Sequence, residues 1–230
     1  MLTRGRATLG TMDDQLSVMA IAAGGIVPVL FVAYTLGARR ERVRRAAWRR
    51  AAARAGIRPE LGPWVVGRVA GTWLEAGDHE VGSSRSGYTH ESRLRAPIFA
   101  ALPEALVVST REHDPGIVRE RLKAGAHVVY VRSVDESAVP SFLAGGMRTA
   151  LGAFFAAVPD AVIEGRPLWA PSGFGSVFLG NVAPDIDWER VNGEVRVRHA
   201  TRIGAAAIER EVDAFVHLLE ALHSAKYGYR

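Results

Sequence analysis

The chain has 230 residues, enough for one membrane helix and one ordinary domain but short for two full domains. Its apolar content of 48% excludes wholesale disorder, and the absence of cysteine excludes a disulfide framework, a thiolate zinc site, an iron–sulfur cluster and a cysteine nucleophile. The net charge of +5 is concentrated: residues 39–58 hold nine arginines against Glu41, whereas residues 59–230 hold 18 basic and 21 acidic side chains, so that larger part lacks the electrostatic footprint of a nucleic-acid binder.

From Leu16 to Ala38 there is no charged side chain. As a helix this run spans about 35 Å, enough for a hydrocarbon core of about 30 Å, and Pro28 and Gly24-Gly25 are tolerated in a membrane helix. A cleaved signal peptide fits less well. Leu36-Gly37-Ala38 puts leucine where a cleavage site wants a small residue, and Asp13 and Asp14, not arginines, precede the run. The arginines that follow set the orientation, because basic residues flanking a span stay in the cytoplasm. The sequence thus predicts a short extracytoplasmic tail over 1–15, a transmembrane helix over 16–38 and a cytoplasmic remainder in the plasma (inner) membrane of a bacterium. Starting at Met12 would remove Arg4 and Arg6 and sharpen the asymmetry.

Residues 39–58 read as an arginine-rich juxtamembrane helix that Gly56 and Pro59 stop. Arg39, Arg40, Arg42, Arg44, Arg45, Arg49 and Arg50 are the expected contacts to anionic lipid headgroups, with Trp48 at the interface. A basic run beside a span is ordinarily a topology signal, so nucleic acid is not the expected partner.

Residues 59–230 are expected to form the globular domain. Trp64–Leu74 reads as a strand with Gly67 and Gly71 at bulges or close approaches, and the polar stretch 76–90 suits a long hairpin or a loop. Arg93–Phe99, Ala105–Thr110 and His127–Val134 are strand candidates, the last rich in β-branched residues. Ser141–Val158 carries a helical repeat that Pro159 ends. Further strands are expected at Ala161–Trp169, Ser176–Leu179 and Glu194–His199, with Asn192-Gly193 as a turn before the last. Ala205–Lys226 shows an apolar stripe of Ile208, Val212, Phe215, Leu219 and Leu222. This order argues an α+β fold: a mainly antiparallel sheet with two packed helices.

The chemistry-bearing motifs are few. No Walker loop, Gly-x-Ser-x-Gly elbow or His-Glu-x-x-His occurs, so no cofactor is implied. Gly173-Phe174-Gly175 with Gly180 lies between strands and reads as a turn. Asp213, His217, Glu220 and His223 have spacings that allow metal binding on one helix face, but a carboxylate-bridged site needs matching pairs from other helices; they read as polar flank. Asp185, Asp187 and Glu189 fall short of a calcium loop. His79, His90 and His113, with Asp78, Ser83 and Ser84, fall in polar stretches where a serine–histidine–acid site can be assembled only by folding. The layout is similar to that of many bacterial proteins with one N-terminal span, a basic stop and a small α+β domain, and the similarity implies topology alone. The reading is therefore a membrane-tethered interaction, scaffold or sensor-accessory module that binds lipid headgroups and another protein. The alternative is a membrane-bound hydrolase or transferase using histidine and acidic residues of the 76–115 stretch.

Overall fold

The computed structural model describes residues 12–57, 64–69, 71–83, 87–165 and 190–224, with side chains from residue 28 onward apart from 64–66, 80–83 and 87–88. The chain divides into two units, Met1–Val43 and Arg44–Arg230. Helix α1 (Met12–Arg54) contains Pro28. In the first unit Val29, Leu30, Phe31, Val32, Tyr34 and Leu36 are each at least 50% exposed. Among the described residues no helix is long and apolar enough to cross a membrane. The run Leu16–Ala38 is helical throughout, but the side chains of 16–27 lie outside the description.

The second unit begins earlier than the expected boundary at residue 59. The last turns of α1 place Arg44, Ala47, Trp48, Ala51 and Ala52 one above another at helical spacing, and the alanines and Trp48 are at most 2% exposed. The helix ends in a Schellman motif: Ile57 N–H donates to Ala52 O at 2.8 Å and Gly56 N–H to Ala53 O at 3.2 Å, with Gly56 at φ 70°. That turn sets the buried Ile57 over the strand Trp64–Val69, where a Cβ on Gly67 would collide with Ile57 Cγ2.

Among the described residues eight strands, β1 (Trp64–Val69), β2 (Thr72–Ser83), β3 (Gly87–Ile98), β4 (Val107–Ser109), β5 (Val118–Ala124), β6 (His127–Arg132), β7 (Val162–Gly165) and β8 (Gly193–His199), form one antiparallel sheet in the order β1-β2-β3-β8-β7-β4-β6-β5. β1 and β2 are a hairpin, so Trp64–Leu74 is not one strand; the chain reverses near Gly71, at φ 80°. The stretch 76–90 is the hairpin of β2 and β3, as its polar, turn-rich composition allowed. β4, β6, β7 and β8 match expected strands, while β5 was not foreseen. The predicted helix over 141–158 is two helices, α2 (Ala138–Leu143) and α3 (Met147–Ala157), separated by Gly145 and Gly146 at φ 60° and 92°. The last helix, α4, spans Ala205–Ser224. The second unit is thus α+β.

Strand alternation gives each face its own composition. Leu74, Ala76, Leu94, Ala96, Val129, Val131, Ile163, Val195 and Val197 point to one face and join α3, α4 and the end of α1 in a single core. Phe154 meets Phe155 and Phe215 edge-to-face at 5.2 Å, locking α3 to α4.

Candidate functional site

The opposite face of the same strands carries charge. The registers Glu75↔Arg95, His79↔Glu91, Arg93↔Arg198 and Arg95↔Arg196 place these side chains side by side across β2, β3 and β8. Arg95 Nε donates to Glu194 Oε1 at 2.6 Å, and Arg196 Nη2 donates to Glu164 Oε2 at 2.7 Å. Glu91 is the hub: it accepts from Arg93 at 2.7 Å and pairs with Arg198 through both of its oxygens. The Arg198 hydrogen bond, with help from Arg93, holds the Glu91 carboxyl down to about 2.

Glu75 behaves in the opposite way. It is 2% exposed, its Oε2 has no hydrogen-bond partner among the described residues, and burial pushes its carboxyl above the usual range against the opposing pull of Arg95. His79 Nε2 stands 3.6 Å from Glu75 Oε1, and burial, reinforced by Arg93, lowers its imidazole to about 4. His79 is therefore neutral across the physiological range.

The three histidines of the 76–115 stretch do not converge. His79 is opposite Glu91, whereas His90 is opposite Glu80, one residue out of step, so His79 and His90 stand on opposite faces of the hairpin. His90 Nδ1 meets Arg202 Nη2 at 2.8 Å, and His113 is exposed in the connection after β4. Asp78 belongs to the core face and is spoken for: it pairs with Arg44 and accepts from Trp48 Nε1 at 3.3 Å and Ser92 Oγ at 2.6 Å. The side chains of Ser83 and Ser84 lie outside the described residues, as do the glycines at 173–180 and the acidic group at 185–189.

No family model, no curated protein and no solved structure matches this chain.

The arginine block is divided by its packing. Trp48, expected at a lipid interface, is 2% exposed in the domain core, and the Arg44 side chain is 12% exposed on Asp78. Both occupy the inward stripe of α1, which the charge run obscured. Arg50 and Arg54 pair with Glu209 of α4 at 2.8 and 2.9 Å. Arg39, Arg40, Arg42, Arg45 and Arg49 are exposed. On α4, Asp213 stands 3.6 Å from Arg54, while His217 and Glu220 are exposed side by side at 3.4 Å. Among the described residues no three histidine or acidic side chains are grouped so as to hold a metal. His199 Nε2 and Glu211 Oε2 meet at 2.8 Å, and that bond raises the imidazole above its usual value. This pair joins β8 to α4, and sequence offered no signal for it.

Proposed function

We propose that the chain is a single-pass membrane protein whose α+β domain, held on the cytoplasmic side, is an interaction, scaffold or sensor-accessory module. The observation that carries the reading is the pairing of two features in the first unit. Val29 to Val32 are four consecutive exposed apolar residues, and at 100° per residue they cover most of a helix circumference. A helix apolar all round needs a non-aqueous surrounding, and the exposed Arg39, Arg40 and Arg42 follow it directly. Anionic headgroups are the fitting partner for these three, for Arg45 and for Arg49.

The interaction reading is favoured over the hydrolase or transferase by the separation of His79 from His90 and by the commitment of Asp78 to Arg44, Trp48 and Ser92. The exposed guanidinium groups of Arg196 and Arg198 on the charged face of the sheet suit recognition of another protein's polar surface. Membrane extraction and a topology reporter test the reading. The full chain should resist alkaline carbonate and yield only to detergent, and a fusion after Arg230 should be active in a cytoplasm-dependent format. Release by carbonate, or activity of a periplasm-dependent fusion, defeats it.

A further inference from the structure

Among the described residues β5 is the outermost strand of the sheet, with one edge unpaired, and α3 packs against it. The approach is close because residue 152 is glycine; a Cβ there would meet Lys123 O at 3.3 Å. Along this edge opens a cleft of about 480 Å³, whose lining includes Arg121, Lys123, Gly125, Arg148, Thr149 and Gly152. No acidic side chain lines it. Its three cations are exposed and weakly committed. Arg148 reaches Glu120 at 3.3 Å in an exposed pair, the Arg121 guanidinium lies 5.8 Å from the Tyr130 ring centroid, and Lys123 has no ion pair among the described residues. Residues 59–230 as a whole carry more acidic than basic side chains, so the local excess of positive charge is not a sample of the average surface.

We propose that this cleft binds a phosphate-bearing ligand. Two guanidinium groups, an ammonium and the Thr149 hydroxyl offer donors from two elements, a set that suits the several oxygens of a phosphoryl group better than a single carboxylate. Arg148 and Thr149 also open α3, whose first turn holds no acid and whose N-cap is a glycine without a side-chain bond, so the helix end adds to the positive potential. The cleft is larger than inorganic phosphate and open to solvent, so the group that carries the phosphate can extend outward from it. That group is the headgroup of a lipid or a soluble phosphorylated molecule. The site lies wholly within residues 118–153, so it does not rest on the membrane reading.

The test uses the full chain in neutral nanodiscs, titrated calorimetrically with glycerol phosphate and with water-soluble dihexanoyl phosphatidic acid. Both carry a phosphate monoester. Binding of either should fall at least tenfold in an Arg121→Gln/Lys123→Gln/Arg148→Gln variant. An Arg111→Gln/Arg196→Gln/Arg210→Gln variant, which removes equal charge at exposed positions elsewhere, should bind as the parent does. Preference for the lipid analogue assigns the ligand to a headgroup; equal binding assigns it to a soluble phosphate. The proposal is overturned if the parent binds neither probe, or if both triple variants lose affinity equally while melting cooperatively.

Discussion

On the helix-covered face of the sheet, β2, β3 and β8 present leucine, alanine and valine, which meet the two phenylalanines of α3 and Phe215 of α4. On the other face the same three strands, often at adjacent residues, present Glu75, His79, Glu91, Arg93, Arg95, Glu194 and Arg198. Glu75, Glu91 and Glu194 are nevertheless at most 6% exposed. The apolar face gains from area and shape, and mutual charge neutralisation does little there. The charged face depends on each carboxylate finding its arginine, because a buried charge without a partner costs more than the pair returns. The two faces should therefore fail differently: one by loss of volume at any pH, the other by protonation.

The largest effect tests where the apolar face ends. Ala47, Trp48, Ala51, Ala52 and Ile57 all belong to the core, although they lie before residue 59. A fragment 44–230 should melt cooperatively, whereas a fragment 59–230 should lose its cooperative transition, since it uncovers the sheet over the width of a helix. Sharp, equal melts of both fragments would remove the end of α1 from the domain.

Within the core, Phe215 is fully buried against Phe154, and Phe215→Ala should cost about 3–5 kcal/mol by denaturant titration. His217, two residues on, has an 81% exposed side chain, and His217→Ala should change stability by less than about 0.5 kcal/mol. A comparable loss at both positions would mean that α4 carries more than a packing stripe.

This contrast was legible in the sequence for α4 because its apolar residues recur at helical spacing over the whole element. The end of α1 was not legible for a physical reason: its inward stripe is mostly alanine, interleaved with arginines, and alanine carries little hydrophobic signal. β5 escaped for a related reason. Its sequence VRERLKA sends only Leu122 and Ala124 fully to the core, and a register shift between Val118 and Glu120 breaks the alternation. The split between α2 and α3 was written in Gly145-Gly146, but a sustained apolar period across it suggested one helix. On the charged face, composition showed polar residues at 76–95 without showing that alternate ones meet across three strands. Pairing across β8 joins Glu91 to Arg198 and Arg95 to Glu194, links no local pattern encodes.

The charged face should reveal itself in acid. Glu91, held down to about 2, contributes stability that is complete above the ordinary glutamate value of 4.5 and is lost as the pH falls towards 2. His79, lowered from 6.5 to about 4, works in the same direction: the unfolded chain takes up its proton first, so stability declines as pH falls from 6.5 to 4. Unfolding free energy followed against pH should show both losses. Glu91→Gln should lower stability at pH 7 and flatten the segment below pH 4.5. An unchanged acid limb in that variant would place the sensitive carboxylates elsewhere.

The smallest effect separates Glu75 from its neighbours. Its folded value is raised, so its contribution runs opposite to that of Glu91: it is most favourable below 4.5 and declines as pH rises through the folded value. Arg93 and Arg95 attract the carboxylate, but burial outweighs them, and one oxygen has no hydrogen-bond partner among the described residues. Glu75→Gln keeps the shape and removes the charge. At neutral pH it should stabilise the domain by about 1 kcal/mol, the scale of relieving one poorly satisfied buried group, and the gain should vanish near pH 4 where glutamate itself is protonated. If the variant is instead less stable at pH 7, Arg95 and Arg93 hold Glu75 as Arg198 and Arg93 hold Glu91. The charged face would then follow one rule throughout.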